Sequence, residues 1–165
     1  MIGFEALVAE CAPNVAPSTL RAMSYVESSF NPYAIGVVNG RLIRQPKNHA
    51  EAIATTKSLQ SQGVLFSAGL LQIFVKNWAA LGLDHETVFD PCTNMRASAK
   101  ILGDCYARAL AAEPKPQMAL RHAFSCYYSN NFVTGYRHGY VDAILSAAKK
   151  FAPANQRAVL SPRFN

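Results

Sequence analysis

The chain has 165 residues, half of them hydrophobic and 16% charged, with 16 Lys and Arg against 10 Asp and Glu for a formal charge of +6. That length suits a single domain with a sizeable core, and the composition excludes a disordered chain. The positive balance favours polyanionic partners, but the basic residues are scattered, so nucleic-acid binding would rest on net charge alone, without a recognition motif.

In chain order, "MIGFEALVAEC" does not read as a signal peptide: it lacks a basic leading segment and holds Glu5 and Glu10 inside its apolar stretch. Residues 3–11 predict a short helix that stops near Pro13. Pro17 suits the first turn of the next helix. That helix runs to about Ser28 and yields at Asn31-Pro32, because a residue before proline resists the α conformation. Asn39-Gly40, between the short apolar runs of "IGVVNGRLIRQP", is a two-residue hairpin signal. Residues 49–62 predict a helix closed by Gly63. "LFSAGLLQIF" follows, then a short helix around Trp78.

"FDPCTNMRASAKILGDCYARALAAEP" is the longest helical stretch, capped by Asp90, begun by Pro91 and ended by Pro114. "QMALRHAFSCYY" and "GYVDAILSAAKKF" predict the last two helices. Residues 152–165 hold two prolines and no periodicity, and read as a flexible tail behind a domain of residues 1–151. No apolar run reaches the ~18 residues of a membrane span.

Four cysteines, Cys11, Cys92, Cys105 and Cys126, permit two disulfides and an oxidising compartment, or four buried thiols. None shows the C-x-x-C spacing of a zinc or redox site. If the helices around Cys105 and Cys126 pack as neighbours, Cys11 and Cys92 remain for each other, although sequence admits three pairings.

One acid is awkwardly placed. Leu20, Met23 and Glu27 recur at i, i+3 and i+7 on one helical face, with Tyr25 and Val26 alongside. Burial there and the nearby helix C-terminus both disfavour the ionised form, which is what a general acid needs. The alternative is a salt-bridged or exposed Glu at a fraying helix end.

"ESSFNPYAIG" (residues 27–36) resembles the catalytic motif of the lytic transglycosylases of the lysozyme-like superfamily. "FSAGLLQI" (66–73) is similar to that family's Gly-Leu-x-Gln-Ile block, "SCYYSNNFVTGY" (125–136) to its Ala-Tyr-Asn block, and "GYVDAIL" (139–145) to its closing Tyr-Val helix. The blocks come in the family's order. "NPYAIGVVNGRLIRQP" resembles most the small transglycosylases that accompany type IV secretion and conjugation machines. Tyr128 stands where the family usually has Asn, and Asn130 where it usually has Gly; Asn tolerates the left-handed turn that Gly would make.

The resemblance implies an α+β, predominantly α-helical, lysozyme-like fold with a small β-hairpin beside the active-site cleft. It implies Glu27 as the catalytic acid, with Ser28, Ser67, Gly69, Leu70, Gln72, Tyr127, Tyr128, Asn130 and Tyr140 binding substrate. On the residues themselves, Gly69 would let backbone approach a ligand, or simply make a turn. The Gln72 amide and Ser67 hydroxyl would read sugar groups. Tyr127 would orient Glu27 through its hydroxyl, or be an aromatic core residue.

Glycoside hydrolysis ordinarily uses two carboxylates, and the matching blocks hold one plausible catalytic acid. That fits the family's route: cleavage between MurNAc and GlcNAc with closure of a 1,6-anhydro ring, without metal or cofactor. A hydrolytic lysozyme would need a second carboxylate from among Asp84, Asp90, Asp104 and Asp142. A catalytically idle glycan-binding assembly protein is the other reading. The expected partners are peptidoglycan strands and type IV secretion components, and the expected form is a periplasmic monomer.

Overall fold

The computed structural model describes residues 3–153; the expected tail lies, from residue 154 onward, outside the described residues. The helices are α1 (Phe4–Cys11), α2 (Pro17–Ser28), α3 (His49–Ser61), α4 (Trp78–Leu81), α5 (Pro91–Ala112), α6 (Pro116–Ser129), α7 (Thr134–Arg137) and α8 (Tyr140–Phe151). The strands are β1 (Ile35–Val37), β2 (Phe66–Ala68) and β3 (Ile73–Phe74). The expected class, mostly helical with a small antiparallel sheet, is the one observed. Among the described residues no helix is long and apolar enough to cross a membrane. The chain divides into two compact units, Glu27–Ala97 and the segments on either side of it.

In the flanking unit, α2 begins at Pro17 as expected, since proline there forfeits only an N–H that the first turn leaves unbonded anyway. Its Leu20, Ala22 and Met23 are fully buried, and Arg21 pairs with Glu5 of α1. Helices α6, α7 and α8 pack on one another. The α6–α7 approach is set by two small residues. Gly135 N donates to buried Ser125 Oγ at 2.9 Å, and a Cβ on Gly135 would lie 2.5 Å from Ser125 Cα.

A disulfide joins Cys105 of α5 to Cys126 of α6, 21 residues apart. Closing a loop of that size stabilises the fold by roughly 3 kcal/mol, mostly by restricting the unfolded chain. This is the neighbour pairing expected from the helices. Cys11 and Cys92 are also disulfide-bonded, so the thiol alternative is set aside.

In the Glu27–Ala97 unit the strands form an antiparallel sheet in the order β1-β2-β3. The chain turns one residue earlier than expected, at Val37–Gly40, where Gly40 N donates to Val37 O at 3.3 Å and Asn39 is left-handed at φ 57°. The chain beyond it does not return as a strand, so the hairpin expected there is not made. Instead β1 pairs with β2, Ile35 opposite Ala68, and the hairpin of the sheet is β2–β3, with Ser67 opposite Phe74. The outer edge of β1 is closed by a side chain. Gln45 Oε1 accepts from Ile35 N at 2.8 Å and Gln45 Nε2 donates to Ile35 O at 2.9 Å. One amide thereby supplies the pair of bonds a neighbouring strand would exchange.

The residues after Gly40 are committed elsewhere, to the start of α3. Asn48 caps that helix through Glu51 N at 2.9 Å, while Glu51 Oε2 accepts from Arg44 Nη1 at 2.6 Å and from Lys47 N at 3.1 Å. These bonds, that to Arg44 foremost, hold the Glu51 carboxyl below its ordinary pKa. Gly63 follows α3 in the left-handed region, φ 69°, as expected.

Buried Trp78 donates to Ile73 O at 3.0 Å and meets Phe66 edge-on at 5.5 Å. His85 lies edge-on to Trp78, with Nδ1 2.9 Å from the Thr56 hydroxyl and Nε2 2.6 Å from Gln60 Oε1. Desolvation, helped by Lys57, pushes the His85 pKa below 6.5. A lowered folded-state pKa means that the native state resists protonation. The contribution of His85 is full above the unfolded value and is lost as pH falls through 6.5 and then through the folded value. The melting temperature is therefore expected to drop between about pH 7.5 and about pH 5, and to drop less in His85→Gln. Equal drops in the two proteins would refute this role.

Candidate active site

Glu27 occupies the last turn of α2. Leu20 and Met23 on its face are fully buried, while Glu27 is half-buried. The acid therefore sits at the open end of an apolar stripe, which is less sealed than the sequence pattern predicts. Two left-handed non-glycine residues follow it, Ser29 at φ 52° and Phe30 at φ 64°. Each costs about 1 kcal/mol. Such strain persists only where the surroundings over-determine it, and it clusters at functional sites.

One of those surroundings is the β2–β3 turn. Ser28 Oγ donates to Leu70 O at 2.7 Å, tying the residue after the acid to the Gly69–Gln72 turn. Gln72 N donates to Gly69 O at 3.1 Å, and both ends of the turn are left-handed, Gly69 at φ 86° and Gln72 at φ 50°. A Cβ on Gly69 would strike the Asn94 side chain and lie 2.5 Å from Val88 O. The space over Gly69 is thus filled by the protein, and glycine is required by the fold itself.

Asn94, in the first turns of α5, was not anticipated. It is fully buried. Its Oδ1 accepts from Leu71 N at 2.8 Å, and its Nδ2 donates to Val88 O at 2.8 Å and to Ala68 O at 3.2 Å. The signal available in the sequence was an amide beside apolar Met95 and Ala97 in the first turns of a helix, where Asn is a poor helix former.

Gln72 is turned partly inward: Nε2 donates to Ala34 O and Gly69 O, each at 2.9 Å. With both amide hydrogens used, Oε1 is the amide atom that can accept from a ligand. Ser67 lies mid-strand in β2, half-buried, and Leu70 is buried.

The other expected residues belong to the flanking unit. Half-buried Tyr127 donates its hydroxyl to Ser98 Oγ at 3.0 Å. Tyr140, at the start of α8, is buried and stacks on exposed Tyr128. Asn130 is left-handed at φ 59°, as expected of a Gly replacement, and closes α6. Its Oδ1 accepts from Arg108 at 2.9 Å. The Asn131 side chain bonds Val133 N and Thr134 N, so it holds a turn.

The four acids named as possible second carboxylates have other settings. Asp84 Oδ1 accepts from Thr87 N, Thr87 Oγ1 and Glu86 N, bonds that lower its pKa, those to Thr87 most. Asp90 caps α5 through Thr93 N at 2.8 Å. Asp104 pairs with Lys100 on an exposed helix face, and Asp142 is exposed on α8.

The family profile described as Transglycosylase SLT domain matches residues 5–140. The chain belongs to the SLT transglycosylase domain family. The SLT match takes in Glu27 and every other expected site residue, ending at Tyr140. Among curated proteins, the SLT chain is 47% identical over 154 residues to "Type IV secretion system protein virB1" of Brucella abortus, covering 90% of this chain and 65% of that protein. It is 35% identical over 150 residues to "Protein virB1" of Agrobacterium fabrum, covering 91% and 61%. It thus spans a little under two thirds of the length of these relatives. No solved structure matches it significantly.

Proposed function

We propose that this SLT chain is a peptidoglycan lytic transglycosylase, a lysozyme-like domain over residues 1–151 in which Glu27 is the single catalytic acid. The observation that carries this reading is the setting of the acids: Glu27 stands beside strained backbone and a braced turn, whereas Asp84, Asp90, Asp104 and Asp142 are turn-bound, capping, paired or exposed.

In this reaction Glu27 protonates the oxygen that links MurNAc to GlcNAc, and the bond to the anomeric carbon breaks. The substrate's own acetamido group stabilises the developing positive charge. Glu27, now a carboxylate, takes the proton of the muramyl C6 hydroxyl, whose oxygen closes onto the anomeric carbon. The product is 1,6-anhydroMurNAc, Glu27 ends protonated, and no water is consumed. One residue serves in turn as acid and base, so no second carboxylate is needed. Ser28 and Leu70 act by holding the turn. Ser67 and Gln72 Oε1 present the polar atoms that a sugar's amide and hydroxyls would meet, Tyr127, Tyr128 and Asn130 supply further contacts, and buried Tyr140 contributes through the Tyr128 ring it packs against.

Its work would be to open the wall locally for a type IV secretion or conjugation apparatus; service to a type IV secretion apparatus is supported by the name of the Brucella relative, and a periplasmic setting by disulfides that persist in oxidising compartments. The +6 charge suits a wall bearing anionic peptide stems.

Digestion of purified peptidoglycan in heavy-oxygen water tests the chemistry. Mass spectrometry is expected to find anhydro-muramyl ends without label. Labelled reducing ends would move the chain to the hydrolytic lysozyme reading.

A further inference from the structure

Tyr128 is 46% exposed, yet it is held on several sides. Its ring stacks on Tyr140 with centroids 4.8 Å apart and planes 24° apart, and Tyr140 is only 7% exposed. His138 meets the Tyr128 ring edge-on at 5.8 Å, and its Nδ1 lies 3.1 Å from the Tyr128 hydroxyl. The three residues come from the end of α6, the end of α7 and the start of α8, which pack together. The Gly135–Ser125 approach fixes the path of the chain between them.

We propose that Tyr128 is a saccharide-stacking platform, its ring set by Tyr140 and His138, that takes the apolar C–H face of a β-1,4-linked N-acetylhexosamine. The inference rests on the transglycosylase reading and adds to it a binding role for a buried ring and a histidine that do no chemistry. Three observations carry it. A ring with one face on a buried neighbour and nearly half its surface in water turns its other side to solvent. A pyranose presents axial C–H groups that complement an electron-rich aromatic face, and tyrosine adds a hydroxyl for the sugar's polar rim. The ring is already ordered, so little side-chain freedom is lost on binding.

The test is binding of chitohexaose to protein carrying Glu27→Gln, which leaves the oligosaccharide uncut, measured by titration calorimetry and by NMR. Adding Tyr128→Ala is expected to weaken binding roughly three- to tenfold, the usual worth of an aromatic contact. Tyr128→Phe should stay within about twofold, because the stack and face remain. Tyr128→Leu keeps an apolar side chain against Tyr140 but has no aromatic face, and should weaken binding like Ala. Cross-relaxation from sugar ring protons to the Tyr128 ring is expected in the Tyr128-containing protein.

Equal affinity for the Ala or Leu variants, no cross-relaxation, or no chitohexaose binding at all would overturn the platform. Melting of each variant identifies any that has not folded, and Phe and Leu then decide. Product analysis on peptidoglycan with the unsubstituted chain tests the catalytic reading separately, so either can fail while the other stands.

Discussion

Glu27→Gln is expected to lower peptidoglycan cleavage at least about a hundredfold, the lower range for loss of a general acid. The amide has the carboxyl's shape and cannot deliver the proton. The substitution leaves in place the Ser28–Leu70 bond that braces the end of α2. The melting temperature should therefore change little while turbidity clearing of cell walls collapses, a split that separates lost chemistry from lost fold. Near-normal clearing by this variant would dismiss Glu27 and send the search to Asp84, Asp90, Asp104 and Asp142.

Asn94→Ala is expected to be among the most damaging substitutions to stability. It removes a hydrogen-bond partner from each of Leu71 N, Ala68 O and Val88 O and opens a cavity against Gly69. Losing several buried hydrogen bonds at about 1 kcal/mol each, together with the cavity, is expected to cost about 3–5 kcal/mol in total, the upper tail for single substitutions. Urea unfolding at constant slope measures it. Asn94→Asp separates the bonds: it keeps the acceptor for Leu71 N but turns a carboxylate oxygen toward two carbonyls, and should also be strongly destabilising. Cleavage should fall in both variants, since the turn they loosen holds Ser28 and carries Gln72. A loss of unfolding free energy under about 1 kcal/mol in Asn94→Ala would show that the turn stands without this clamp.

Both predictions concern one turn, and that turn shows how sequence and tertiary structure divided the work. Local chemistry was legible. Pro17, Pro91 and Gly63 marked helix ends where they stand, because a missing N–H and a freely left-handed backbone act within one or two residues. Asp90 as a cap and Asn130 as a left-handed stand-in for Gly were likewise local matters. The family, too, was readable from four short blocks, because each keeps its residue types at fixed spacing.

Other features depended on residues far apart in the chain. The chain turns at Val37–Gly40, yet the partner of Ile35 is Ala68, because Arg44 and Asn48 commit the intervening chain to α3 while Gln45 closes the strand's edge. Gly69 allowed either room for a ligand or a plain turn, and Asn94, 25 positions later, fills that room and leaves the turn. Gln72 looked like a free amide, and Ala34 and Gly69 take both its hydrogens. The sequence by itself determined the longer helices, several of their ends, the family and the candidate acid, since those rest on neighbours in the chain, but not the short helix α7 or the Asn48 cap of α3. Only the tertiary structure decided which strands pair, which polar atoms are already spent and which aromatic is held out to solvent. Hydrogen-bond partners and burial are set by packing between distant segments, which no local pattern records.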